Sequence, residues 1–265
     1  MLLKGKAAVI FGGSGAIGTA IAKVFIREGA HVYLCARDLN KLQNIAAQLH
    51  QFGGMVHTAS VDVLDTQSIN NTVAQIVRDT GGLDLVINAT SFIHNQGKEI
   101  LELNLDEFVG GINPFLTAQF NISKAVVPFM GGDRGGTMIS IVAPSARMAI
   151  PGHLGHIVGC AGIEAFIKAL ASELGPKNIR VLGVRSHAIV DAVQAGSYTR
   201  ELFESKAQAM GLSIGQWLEG AAQGTMLKRL PMLSQVAETV AFLASEHANS
   251  MTATVVNMTA GAIID

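Results

Sequence analysis

Gly13-x-Gly15-x-x-Gly18 constrains this chain more than any other stretch. It follows a short apolar run, Ala7 to Phe11, and opens a segment in which Ile17, Ile21, Val24 and Phe25 recur at helical spacing. An apolar run of that length before a Gly-Gly turn reads as a buried parallel strand. Strand, glycine turn and helix in this order form a dinucleotide fingerprint in its required context. The glycines let the backbone approach a pyrophosphate, which the free N–H groups and dipole of the helix N-terminus then stabilise. The alternative is a tight turn with close helix packing and no ligand.

The rest of the chain continues the pattern. Further strands are expected at His31–Cys35, Met55–Val61, Leu83–Asn88, Thr137–Val142, Ile179–Arg185 and Thr254–Met258. Helices are expected at Leu39–Phe52, Thr66–Asp79, Leu105–Met130, His156–Gly175 and Gln235–Ser245. Alternation at this spacing means βαβ units with right-handed crossovers, hence a doubly wound α/β fold with a parallel sheet. Hydrophobic residues make up 49% of 265 residues, enough for a core on both faces of a sheet within one domain, 1–265. The net charge of −1 gives no reason to expect nucleic acid or an acidic membrane as partner. No run of about 18 apolar residues is read, so no membrane span is expected. Cys35 and Cys160 lie in unrelated segments and suggest no disulfide, and Met1–Lys6 is too short for a signal peptide. A cytoplasmic protein is the expectation.

The second strand ends Leu34-Cys35-Ala36-Arg37. An acid at Ala36 would hold the ribose hydroxyls of NAD; instead Arg37 follows, which can pair with a 2′-phosphate. NADP(H) is therefore expected over NAD(H).

With these motifs in order, the chain resembles the short-chain dehydrogenases/reductases from about Lys4 to Asp265. Gly12-Gly13-Ser14-Gly15-Ala16-Ile17-Gly18 resembles the family's glycine-rich turn, and Asp62-Val63 the adenine contact. Asn88-Ala89-Thr90 resembles its Asn-Ala-Gly, and Ala260-Gly261 its closing Gly-Gly. Asn113 matches an active-site Asn in the long fourth helix. The resemblance implies a Rossmann-type cofactor site at Gly12, Ser14, Gly15, Ile17, Gly18, Arg37, Asp62, Val63, Asn88, Ala89 and Ile189. It also implies a homodimer or homotetramer formed through Leu105–Met130 and His156–Gly175, with Phe115, Phe120 and Phe166 in need of cover.

The catalytic positions depart from that pattern. The family's Ser falls on Ala143, its Tyr on His156, its Lys on Cys160, and its Pro-Gly on Ser186-His187. A His has an ordinary pKa of about 6.5 and needs no lysine to titrate near neutrality. His156, with Asn113 and His187, is thus a candidate acid–base set, and Ser145 a candidate donor in place of Ala143. The rival reading is that His156 and Cys160 only fill the space of a lost pair. A metal held by His153, His156 and Cys160, completed by His187 or Asp191, is a weaker alternative; no metal is expected. Arg147, Arg185, His187 and Asp191 are expected on loops at the strand ends. The segment from Ala192 to Thr225 and Met226 reads as a substrate lid carrying Tyr198, Phe203, Met210, Trp217 and Met226, which suits an apolar small molecule. Three functions stay open. One is an atypical oxidoreductase, reducing C=C or C=N more readily than a ketone. Another is a non-redox isomerase, dehydratase or cyclase, and the third a silent nucleotide-binding subunit.

Overall fold

The computed structural model describes residues 1–195 and 199–265. In chain order the main elements are β1 (Ala7–Phe11), α1 (Ala16–Arg27), β2 (His31–Ala36), α2 (Leu39–His50), β3 (Val56–Ser60), α3 (Thr66–Thr80), β4 (Leu85–Asn88), α4 (Leu105–Gly110) and α5 (Asn113–Val126). There follow β5 (Gly136–Val142), α6 (Leu154–Leu174), β6 (Ile179–Ser186), α7 (Thr199–Ala209), α8 (Ile214–Gln223), α9 (Leu233–Ala244) and β7 (Thr254–Met258). The strands form one seven-stranded sheet in the order β3-β2-β1-β4-β5-β6-β7, and every pairing is parallel. This is the doubly wound fold expected from the alternation. The order reverses direction between β1 and β4, and the crevice outside the carboxyl ends of the strands at such a point is where ligands bind in this class.

Two apolar cores cover the two faces. One packs α1, α2 and α9 against the sheet, around Ile10, Phe25, Leu34, Leu182 and Val240. The other packs α3, α5 and α6, around Phe11, Ile69, Val86, Ile122 and Ile167. The central strands are buried on both sides, which is why β1 and β4 read as unbroken apolar runs and not as alternating ones.

The structure corrects two expectations, for the Leu105–Met130 helix and for the absence of a membrane-length apolar segment. The Leu105–Met130 helix is two helices, broken at Gly111-Ile112, with a 3₁₀ turn at Val127–Phe129. The stretch 192–225 contains α7 and α8, the second started by a Ser213–Gln216 capping box. One segment, Leu154–Lys177, is long and apolar enough by length and composition to cross a membrane. In this fold that segment packs against β6, α5 and α4, and buries His156, Cys160, Ile163, Ile167 and Leu174.

Candidate functional site

A cavity of about 870 Å³ runs along the carboxyl-end rim of the sheet, within the range of small-molecule sites. One end lies at the glycine turn. The amides of Gly12 and Gly13 both donate to the Cys35 carbonyl, which folds the turn under β2. Gly12 has φ +78, and a Cβ there would collide with the Ala89 carbonyl; one at Gly18 would collide with the Gly12 carbonyl. The backbone therefore comes close on both sides of the crevice. Helix α1 starts at Gly15 with no side-chain cap, so its first-turn N–H groups have no side-chain acceptor. Such a cradle fits a pyrophosphate.

Gly12, Ser14, Gly15, Ile17, Arg37, Asp62, Val63, Ala89 and Ile189 all line the cavity. Arg37 is exposed, and Lys41, a residue sequence reasoning missed, lines the same end. Asp38 instead caps α2 by accepting from the Lys41 amide at 2.9 Å. Two expected residues do not line the cavity. Gly18 serves the close approach of α1 to the turn. Asn88 is buried, and its Oδ1 accepts from the Thr90 amide at 3.0 Å and the Thr90 hydroxyl at 2.6 Å. Asn88 and Thr90 thus fix the turn after β4.

The other end of the cavity lies over α6. His156 is 7% exposed and its ring stacks on His94, with centroids 4.0 Å apart and planes 16° off parallel. Phe115 of α5 closes on both rings at 5.5 and 5.7 Å. The Cys160 sulfur lies 3.7 and 3.6 Å from the two His156 ring nitrogens. Being equidistant, it lies on the line of neither lone pair, so the two do not form a thiolate–imidazolium pair. Burial, then neighbouring His94, His153 and Lys206, push His156 down to about 3. Burial pushes the Cys160 thiol up to about 12. At neutral pH both are uncharged. His156 therefore does not keep the ordinary imidazole pKa on which its reading as an acid rested.

His153 is the N-cap residue of α6, and its Nδ1 lies 2.8 Å from the Pro151 carbonyl. A carbonyl only accepts, so Nδ1 carries the proton and Nε2 offers a lone pair. Lys206 of α7 donates to that Nε2 at 3.0 Å. His94 is held the same way, Nδ1 to the Phe92 carbonyl at 2.8 Å, with Gln96 donating to its Nε2 at 2.6 Å. His187 accepts at Nδ1 from the Ala188 amide at 2.7 Å, which leaves its proton on Nε2. Burial lowers the pKa of His94, His153, His187 and Lys206 alike. Sequence reasoning missed His94 and Lys206. No local motif marks them, because they reach the site from a loop and from α7, far apart in the chain.

Several expected residues are elsewhere. Asn113 is exposed at the start of α5 and does not line the cavity; Phe115 occupies the cavity-facing position two residues on. Arg185 is not on a loop. It lies within β6, fully buried, bonded to Glu164 at 2.7 Å and to Asp265. Arg147 also pairs with Glu164, at 3.2 Å. Asp191 accepts from the Leu233 amide at the start of α9. Among the described residues no three His, Cys, Asp or Glu converge to hold a metal. Ser145, His187, Phe203 and Trp217 line the cavity, whereas Met210 and Met226 are exposed on the surface. Tyr198 lies outside the described residues.

Known proteins carry the same architecture. The chain is 28% identical over 261 residues to a 3-oxoacyl-[acyl-carrier-protein] reductase of Chlamydia trachomatis, covering 98% of each. It is 30% identical over 261 residues to the protein of that name from Pseudomonas aeruginosa, again 98% of each. A crystal structure of NAD+-bound xylitol dehydrogenase superposes with a TM-score of 0.88 over 98% of this chain and 100% of that one, at 20% identity, which speaks to the fold alone. A model of the short chain dehydrogenases matches residues 6–200, most of the chain, and the chain therefore belongs to that family of nicotinamide-dependent oxidoreductases.

Proposed function

We propose that this chain is an NADP(H)-dependent oxidoreductase whose catalytic end is remodelled. The observation that carries the reading is one continuous cavity, from the α1 amides and Arg37 to the His94–His156 stack. A bound nicotinamide cofactor supplies or accepts hydride. The α1 N-terminus would take its pyrophosphate, Arg37 with Lys41 its 2′-phosphate, and Asp62-Val63 its adenine. The family's Ser, Tyr and Lys positions carry Ala143, His156 and Cys160. Ala143 has no hydroxyl to polarise a carbonyl, and neutral His156 can accept a proton but is not an imidazolium donor. Among the described residues, proton donors at this end include Ser145, His187 Nε2–H and Lys206. That set suits reduction of C=C or C=N better than of a ketone, which depends more on a strong donor at oxygen. The test is oxidation of NADPH against a panel of enones, imines and ketones. Turnover confined to ketones contradicts the remodelled reading, and failure to bind NADPH removes the oxidoreductase.

A second reading, a non-redox enzyme or silent nucleotide-binding subunit on the same scaffold, is favoured by Thr90. Its hydroxyl donates to Asn88, and the residue lines the cavity where the family carries a glycine. We also propose a cytoplasmic homodimer or homotetramer built on the outer faces of α5 and α6.

A further inference from the structure

Among the described residues Lys206 is the cation that lines the cavity beside the His94–His156 stack, and its ammonium has no carboxylate partner. Its one hydrogen bond goes to a neutral imidazole, His153 Nε2 at 3.0 Å. Because the Pro151 carbonyl fixes the His153 proton on Nδ1, Lys206 must be the donor, and two of its N–H groups remain. Among the described residues the acids lining the cavity are Asp38 and Asp62, which follow β2 and β3. Those strands lie on the far side of β1 from β4, β5 and β6, toward the glycine-turn end of the cavity. On the segment that carries His94, Glu107 receives Asn95 but is already paired with Lys98. A half-buried ammonium with no counter-ion is costly unless something brings one.

The surroundings restrict what that is. The His94–His156 stack, with Phe115 tilted edge-on against it, forms one aromatic wall, and Phe203 of α7 and Trp217 of α8, 4.7 Å apart, line another side. One charge set among neutral imidazoles and aromatic rings matches one anionic group on an apolar body. A phosphate dianion would bring a second charge that nothing here neutralises. We propose that this end of the cavity seats the carboxylate of an apolar monocarboxylate, with Lys206 as its counter-ion and the neutral His153 holding Lys206 in place. The inference rests on the reading of this cavity as the substrate site, and it makes Lys206 a specificity-determining binding residue.

The test needs neither cofactor nor turnover. Trp217 is the sole tryptophan and lines the cavity, so its fluorescence reports the site, with calorimetry as a second readout. The probes are 4-phenylbutyrate and octanoate, their neutral amides, and phenyl phosphate as the dianion. The acids are expected to bind at least tenfold more tightly than their amides and than phenyl phosphate. Lys206→Met should abolish that preference by weakening the acids to the level of their amides, and Lys206→Arg should keep it. Melting curves of both variants verify that they fold. The proposal is overturned if neither acid binds at millimolar concentration, if amide or phosphate binds as tightly as acid, or if the preference survives Lys206→Met. NADPH binding is titrated separately on the same protein. Acid preference without NADPH binding keeps the anchor and sinks the oxidoreductase; NADPH binding without acid preference does the reverse.

Discussion

At the scale of single residues, His156 shows how far environment moves a side chain from its ordinary chemistry. In the sequence it is an imidazole poised near neutrality; in the fold, burial and the ring of His94 hold it neutral down to about 3. The consequence for stability has a definite sign. The unfolded chain protonates this group near 6.5, the native chain only near 3, so the unfolded state binds the extra proton between those values. Stability is fully present above pH 6.5 and falls as pH drops toward 3. Most carboxylates titrate below about 5, so the loss between pH 6.5 and 5 belongs to buried histidines. His156→Phe should flatten that part of the curve of melting temperature against pH, with His94, His153 and His187 supplying the remaining slope. An unchanged slope would show that His156 titrates normally. Arg37 has a simpler role. Arg37→Ala should weaken NADPH binding at least tenfold and leave NADH binding nearly unchanged, as separate titrations would read. Equal binding of the two cofactors by the unaltered protein would remove the phosphate clamp.

At the scale of elements, sequence legibility followed locality. The glycine turn between β1 and α1 could be read because its determinants sit within a dozen residues, and β1 and β7 have the bounds that their apolar runs suggested. The site was harder because its residues meet only through the tertiary fold. Asn113 and Phe115 differ by two residues, about 200° around a helix, so a small error in register exchanges a surface amide for a cavity wall. Arg185 read as a loop cation because its partners, Glu164 and Asp265, lie 21 and 80 residues away. The glycines of α6 make a further element-level statement. A Cβ at Gly155 would collide with the Phe108 carbonyl, and one at Gly159 with the Gly111 carbonyl. These two positions let α6 approach α4 and the α4–α5 junction closely, which sets the stack of His156 beneath His94 and beside Phe115. Gly159→Ala is therefore expected to destabilise, despite the higher helix propensity of alanine, by about 1–3 kcal/mol as overpacking does. Urea denaturation measures it, and a stabilised variant would contradict the close packing.

At the scale of the whole molecule, the outer faces of α5 and α6 decide whether the chain works alone. Of the three phenylalanines expected to need cover, Phe115 already has it, buried against His94 and His156. Phe120 on α5 is 53% exposed, and Leu154 and Val158 on α6 are exposed as well. The length and apolar character that let α6 pass as a membrane span have the same origin: one side faces the sheet, and the other carries alanine, valine and leucine outward. A face of that kind on two neighbouring helices suits a second copy of the same face, and a two-fold axis makes the contact self-complementary. Light scattering at micromolar concentration should therefore give at least twice the 27.8 kDa of one chain. Symmetry also amplifies any change, since each substitution enters the interface twice. Val158→Glu places two carboxylates in an apolar contact and should shift the mass toward monomer. Because Val158 points away from the sheet, far-ultraviolet circular dichroism of the dissociated chain should keep its native helix content. A monomeric mass for the unaltered protein, or an undiminished oligomer in the Val158→Glu variant, would mean that this face is covered by something else or left in water.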